Sequence, residues 1–195
     1  FFRVAADDLD RAIAIEPTNT TWRMLRLQYN ADLASTWRMI DGFTGAAAQH
    51  PRDVPTYEKR ASCYLEAGDR DRAEQDFRRI LELEERRTRL GRVDCLGLCR
   101  TAIAQYRLGL YEESLRTFSR MSEIPEQNDN AGVDRFFYGA MARWQLGQRD
   151  AAHALYKDGL VALEHAAPSD RSYLYFVRLE AEAGELLGLT ASDSP

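Results

Sequence analysis

The side chains best suited to acid–base, nucleophilic or metal chemistry are few in this sequence. Its histidines, His50, His153 and His165, are widely separated, and the last two are twelve residues apart. None belongs to a His-Glu-x-x-His motif, which places two metal ligands on one helix face. Because a cation is favoured near a helix C-terminus, we interpret these residues as surface or helix-end groups.

The cysteines offer a second possibility. Cys95 and Cys99 are four residues apart and would share a helix face, and Cys63 is distant. One such pair without a nearby histidine is a poor zinc signature, and an odd number of cysteines does not make a disulfide framework. The pattern favours buried, reduced thiols that act as small hydrophobic groups, which suits a cytoplasmic protein.

Motifs of catalytic and nucleotide-binding sites are also missing. The sequence contains no Gly-x-Ser-x-Gly, no phosphate-binding loop and no dinucleotide fingerprint. We therefore predict that the chain is not an enzyme and holds no catalytic residues, no metal and no cofactor. A formal charge of −5 argues against nucleic-acid binding, and no apolar run is long enough to cross a membrane.

A repeat of about 34 residues organises the elements that must carry the function. Pro17 and Pro51 are 34 residues apart, and the same offset relates Leu9, Phe43 and Phe77. Further along the chain, three glycines stand in similar contexts at intervals of 41 and 38 residues, namely Gly68, Gly109 and Gly147. Each glycine is followed by a small residue and, four positions later, by an aromatic one: Ala73 and Phe77, Ser114 and Phe118, Ala152 and Tyr156.

This pattern resembles the tetratricopeptide repeat family, whose unit is a pair of helices. The best match is the unit containing Tyr57, Ala61, Tyr64, Gly68, Ala73 and Phe77. One departure is Met39, which replaces the small residue in the unit that contains Phe43. The resemblance implies an all-α, right-handed α–α solenoid of about four helix pairs, with a leading half-repeat and a C-terminal capping helix. We also note a weaker resemblance to the repeat tails of larger bacterial multidomain proteins.

The predicted map treats residues 1–188 as one domain. It consists of a half-repeat at 1–17, repeats at about 20–51, 54–89, 93–126 and 131–166, a capping helix at 169–188 and a flexible tail at 189–195.

The family resemblance implies that the first helix of each repeat lines a concave, ligand-binding groove. The inward positions become richer in aromatic and arginine residues toward the C-terminus, and such residues are typical of binding hot spots. The predicted groove residues are Arg100, Ile103, Tyr106, Arg107, Phe137, Tyr138, Met141 and Trp144.

We therefore expect a scaffold or regulatory arm that binds a peptide, another protein or a neighbouring domain of the same protein. One alternative is a self-association module, since Phe1 and Phe2 would be exposed at the end of a solenoid, which would give a homo-oligomer. A second is the non-catalytic repeat arm of a kinase or peptidase whose active site lies outside this chain.

Overall fold

The computed structural model describes the backbone of residues 2–124, 129–165 and 173–189, and the side chains of 6–124, 133–165 and 175–189. Throughout these ranges the regular structure is helical, without a strand, so the all-α prediction is confirmed. The helices are α1 (Phe2–Ile15), α2 (Thr20–Gln49), α3 (Val54–Glu66), α4 (Arg70–Arg89), α5 (Cys95–Arg107), α6 (Tyr111–Met121), α7 (Asp129–Gln145), α8 (Arg149–His165) and α9 (Tyr173–Leu187).

The contacts divide the chain into two compact units, Phe1–Leu83 and Glu84–Pro195, where the sequence predicts one domain. Most of the tail predicted at 189–195 lies outside the described residues. Leu189 is within them, however, and packs against the core of the second unit. The Phe1 and Phe2 side chains of the self-association hypothesis also fall outside the described part.

Glycines in the left-handed conformation end the first helix of each hairpin. Gly68, Gly109 and Gly147 have φ of 79°, 79° and 75°, a conformation in which glycine has no steric penalty. The amide after each glycine closes the turn, for example by donating from Leu110 to the carbonyl of Gln105 at 2.9 Å. This is the Schellman arrangement that satisfies the last carbonyls of a helix.

The two helices of a hairpin cross at a pair of small residues. In the hairpins α3–α4, α5–α6 and α7–α8, every residue at the crossing is 0% exposed: Ala61 and Ala73, Ala102 and Ser114, Ala140 and Ala152. The Ser114 hydroxyl donates to the Ala102 carbonyl at 2.8 Å, which shows how close the crossing is.

The prediction of a helix pair within residues 20–51 is wrong, because these residues form the single helix α2 of 30 residues. Its N-cap is Asn19, whose side chain accepts from the amides of Thr21 and Trp22. Ala34 stands where the next repeat has its turn glycine, 34 residues later, and alanine is the strongest helix former. The two crossing positions carry Leu27 and Met39, which are too large for a close crossing.

The core of the second unit lies between α5, α6, α7, α8 and α9. Phe137 and Met141 are 0% exposed, and Phe118 and Tyr156 from the second helices of the hairpins are also buried. The Phe137 and Tyr156 rings meet edge to face, with centroids 5.6 Å apart. The predicted aromatic positions thus join neighbouring helices of this core.

Candidate functional site

Helices α5, α7 and α9 lie side by side in the second unit, and polar side chains connect them across α7. The first connection centres on Arg107 of α5. Its guanidinium donates to both carboxylate oxygens of Glu182 on α9 and, at 2.9 Å, to the Tyr138 hydroxyl on α7. We call these three residues the lower rung.

Arg107 is held in place by aromatic rings as well as by hydrogen bonds. Its guanidinium lies 5.7 Å from the ring centroid of Tyr106 and 5.1 Å from that of Tyr138. Burial alone would lower the pKa of Arg107, but the interactions with Tyr138 and Glu182 outweigh burial and keep that pKa well above its usual value. The arginine is therefore a fixed cation, with only 20% of its side chain exposed.

A second connection, the upper rung, also uses one residue from each helix. Asp134 of α7 accepts from the Tyr175 hydroxyl of α9 at 2.9 Å and from the Cys99 thiol of α5 at 3.8 Å. Burial of the hydroxyl, together with the nearby Tyr138 and Asp134, raises the pKa of Tyr175. The Tyr175 hydroxyl therefore stays neutral and donates a hydrogen bond, while 43% of the residue remains exposed.

The two rungs change the interpretation of the predicted groove. Phe137, Tyr138 and Met141 are 0%, 3% and 0% exposed, so they belong to the core and cannot contact a partner in this conformation. Tyr106 is 9% exposed and packs on Tyr138, with centroids 5.3 Å apart. The prediction that these four residues bind a partner is therefore corrected, because α9 and the rungs cover this face of α5 and α7.

The other predicted residues have different surroundings. The guanidinium of Arg149 lies over Trp144, 3.4 Å from the centroid of the tryptophan ring, and the ring of His153 packs beside it. Trp144 therefore contacts α8. Arg100 and Ile103 are half-buried on the same face of α5 as the rung residues, and they remain predicted binding residues.

The sequence analysis missed Asp134, Tyr175 and Glu182, although a signal for two of them exists. Helix α9 ends at Leu187-Gly188, like the Leu-Gly ends of α5 and α7, and Gly188 has φ of 71°. Helix α9 is therefore a first helix of the repeat type, and not merely a cap. Tyr175 and Asp134 each lie thirteen residues before their glycine, which places them at the same position in the repeat.

The three cysteines are buried thiols that form no disulfide, as the sequence predicts. Within the ranges whose side chains are described, no group of three His, Cys, Asp or Glu side chains could hold a metal ion. In the same part of the chain, no helix has the length and apolar character needed to cross a bilayer.

The chain is only distantly similar to known proteins. No family model matches the sequence, and no curated protein does. Among solved structures, the chain is similar to a tetratricopeptide repeat protein from Parabacteroides merdae, with 21% identity and a TM-score of 0.46 over 95% of this chain and 69% of that one. It is also similar to a chain of the APC/C hetero-tetramer Cut9–Hcn1, with 14% identity and a TM-score of 0.35 over 95% of this chain and 40% of that one.

Proposed function

We propose that the chain is a protein-binding scaffold whose second unit binds a peptide segment on the face shared by α5, α7 and α9. The observation that carries this proposal is the pair of rungs. They join three helices with hydrogen bonds and an ion pair, and one of them holds the exposed Tyr175 side chain in place. A surface that is ordered before binding loses less conformational entropy when a partner docks.

The side chains beside the rungs suit an apolar anchor on the partner. Leu96 and Tyr175 are 45% and 43% exposed. Leu96 lies on the same face of α5 as Ile103, seven residues earlier, and Arg178 is one turn from Tyr175 on α9. Tyrosine and arginine side chains are typical of interface hot spots, and the aliphatic side chains beside them exclude water from the contact. We call this patch, Leu96, Arg100, Ile103, Tyr175 and Arg178, the rung face.

A display experiment tests the proposal. The purified chain selects from a library of random peptides, and the affinity of each enriched peptide is measured by titration calorimetry. We expect Leu96→Asp to weaken binding at least about tenfold, since the loss of a hot-spot contact costs about 2 kcal/mol or more. The matched control is Leu110→Asp, because Leu110 is 42% exposed but lies at the start of α6.

Two results would count against the rung face. One is a selection that enriches no peptide with measurable affinity for the folded chain. The other is an equal loss of affinity in the Leu96→Asp and Leu110→Asp variants, which would place binding elsewhere or reflect a general change in charge.

A further inference from the structure

Helix α2 carries an exposed stripe along its whole length, opposite its buried side. The buried side includes Thr36, Ile40 and Ala47. Residues of the stripe follow at intervals of three or four, so they share one helix face. In order they are Met24, Leu27, Ala31, Ala34, Arg38, Gly42 and Gly45, and all of them are exposed.

Large and small residues are segregated along this stripe. Met24 and Leu27, near the N-terminal end, are 67% and 65% exposed. Gly42 and Gly45, near the C-terminal end, have no heavy atom within 4 Å of where a Cβ would stand, so the space above them is open. The N-terminal end of the stripe thus projects two apolar side chains. The C-terminal end has a shallow depression of the same length at Gly42 and Gly45, which we call the notch.

We propose that α2 pairs antiparallel with α2 of a second copy of this chain. A two-fold axis beside Ala34 and Ser35 sets Met24 of one copy opposite Gly45 of the other, and Leu27 opposite Gly42. Each large side chain then meets a glycine, and by symmetry the contact forms twice. Small residues let two helices approach closely, and the projecting side chains fill the holes that the glycines leave.

The charges on α2 favour the same arrangement. In the antiparallel pair, Arg38 lies opposite Ala31, with its aliphatic stem over the small side chain. The neighbouring carboxylate of the other copy is Asp32, which also accepts from Gln28 of its own chain at 3.0 Å. A parallel pair would instead set Arg38 against Arg38 and leave the glycines facing each other across a gap. Like charges in contact are destabilising, and so is an unfilled gap.

Filling the notch tests the pairing without harming the single chain. Gly42→Met and Gly45→Met add side chains where the structure has open space, and both replace glycine within a helix by a better helix former. Sedimentation equilibrium should show a dimer for the unaltered chain and a dimer at least about tenfold weaker for the double variant, because overpacking a close helix contact is destabilising. The matched control is Ala154→Met, which adds the same side chain at an exposed position of α8.

Disulfide cross-linking tests the direction of the pair. Chains carrying Met24→Cys are mixed with chains carrying Gly45→Cys under mild oxidation. We expect a cross-linked dimer in the mixture and none with either variant alone, because residues 24 of the two copies lie about 31 Å apart along the helices. Cross-linking by Met24→Cys alone would overturn the proposal, since it requires a parallel pair. A chain that sediments as a monomer at all concentrations would also overturn it.

Discussion

The hairpins of the second unit and the single helix α2 of the first unit follow the same repeat but differ at three positions. The hairpin α7–α8 has Gly147 at its turn and Ala140 and Ala152 at its crossing, both 0% exposed. Helix α2 has Ala34 at the turn position and Leu27 and Met39 at the crossing positions, where they are 65% and 44% exposed. The aromatic positions therefore identify a repeat, whereas glycine and two small residues decide whether it folds back on itself.

The ion pairs of the two units show a second contrast. In the first unit Arg60 of α3 binds Asp76 of α4, with 16% and 4% of the side chains exposed, so the pair closes one hairpin. In the second unit Arg107 and Glu182 are 20% and 41% exposed and join helices that are not consecutive. The first pair therefore stabilises a hairpin, and the second fixes the arrangement of separate repeats.

Restoring the three hairpin residues in α2 should produce the largest change. With Leu27→Ala, Ala34→Gly and Met39→Ala together, residues 20–49 should fold back into two helices. Spin labels on cysteines at Thr20 and Ala48, diluted with excess unlabelled chain so that only distances within one chain are measured, would report about 42 Å for a straight helix and under about 20 Å for a hairpin.

The single change Ala34→Gly serves as the control, because the large crossing residues remain and the helix should stay straight. If the distance in the triple variant stays near that of the unaltered chain, these three positions do not decide between the two folds.

The reverse exchange should destabilise a hairpin of the second unit. Ala140→Leu and Ala152→Met give α7–α8 the crossing residues of α2 at positions that are 0% exposed. Overpacking at such sites costs about 1–3 kcal/mol each, so the free energy of unfolding should fall by roughly 2–6 kcal/mol, as measured in urea. The control Ala154→Met, at an exposed position of α8, should change it by less than about 0.5 kcal/mol. Equal losses in both would mean that the crossing has no special role.

Removing the carboxylate of each ion pair should lower stability more where that carboxylate is more deeply buried. Asp76→Ala leaves Arg60 largely buried without its carboxylate, which typically costs about 3 kcal/mol. The Glu182 side chain is 41% exposed, so Glu182→Ala lets water reach the Arg107 guanidinium, and Tyr138 still accepts a hydrogen bond from it. We therefore expect the free energy of unfolding to fall by only about 1 kcal/mol. Urea unfolding of both variants measures the difference, and a larger loss for Glu182→Ala would contradict the ranking. An Arg60→Met/Asp76→Leu double variant should recover most of the loss, because no charge remains buried.

Much of the fold could be predicted because its signals are local. The turn glycines, the small crossing residues and the aromatic positions each have a fixed spacing, and together they predict all-α structure. The error at residues 20–51 also has a local cause. Met39 alone departs from the family pattern without excluding a hairpin, whereas Leu27, Ala34 and Met39 together favour a continuous helix.

The candidate site was harder to predict, because it depends on helices that are distant in sequence. Helical spacing places Phe137 and Met141 on one face of α7, but cannot show that α9 covers that face. The hydrogen bonds from Arg107 to Glu182 join residues 75 positions apart, and no periodicity indicates such a partner. The Leu187-Gly188 ending was the available clue, since it marks α9 as another first helix.

The smallest expected effect concerns the helix starts, where α6 differs from α2, α3 and α5. Helices α2, α3 and α5 begin with side-chain caps from Asn19, Asp53 and Asp94, whereas Leu110, the residue directly before α6, makes no side-chain cap. Because Leu110 is 42% exposed, Leu110→Ser should lose little apolar burial and should offer an oxygen to the free amides of the first turn. We expect thermal unfolding to show a gain of about 0.5–1 kcal/mol.

An alanine at the same position separates capping from the loss of the leucine side chain. Leu110→Ala removes the same apolar contacts but provides no acceptor, so it should not show the gain. If serine and alanine give the same stability, the amides at the start of α6 are already satisfied by water, and a side-chain cap contributes less there than at Asn19 or Asp53.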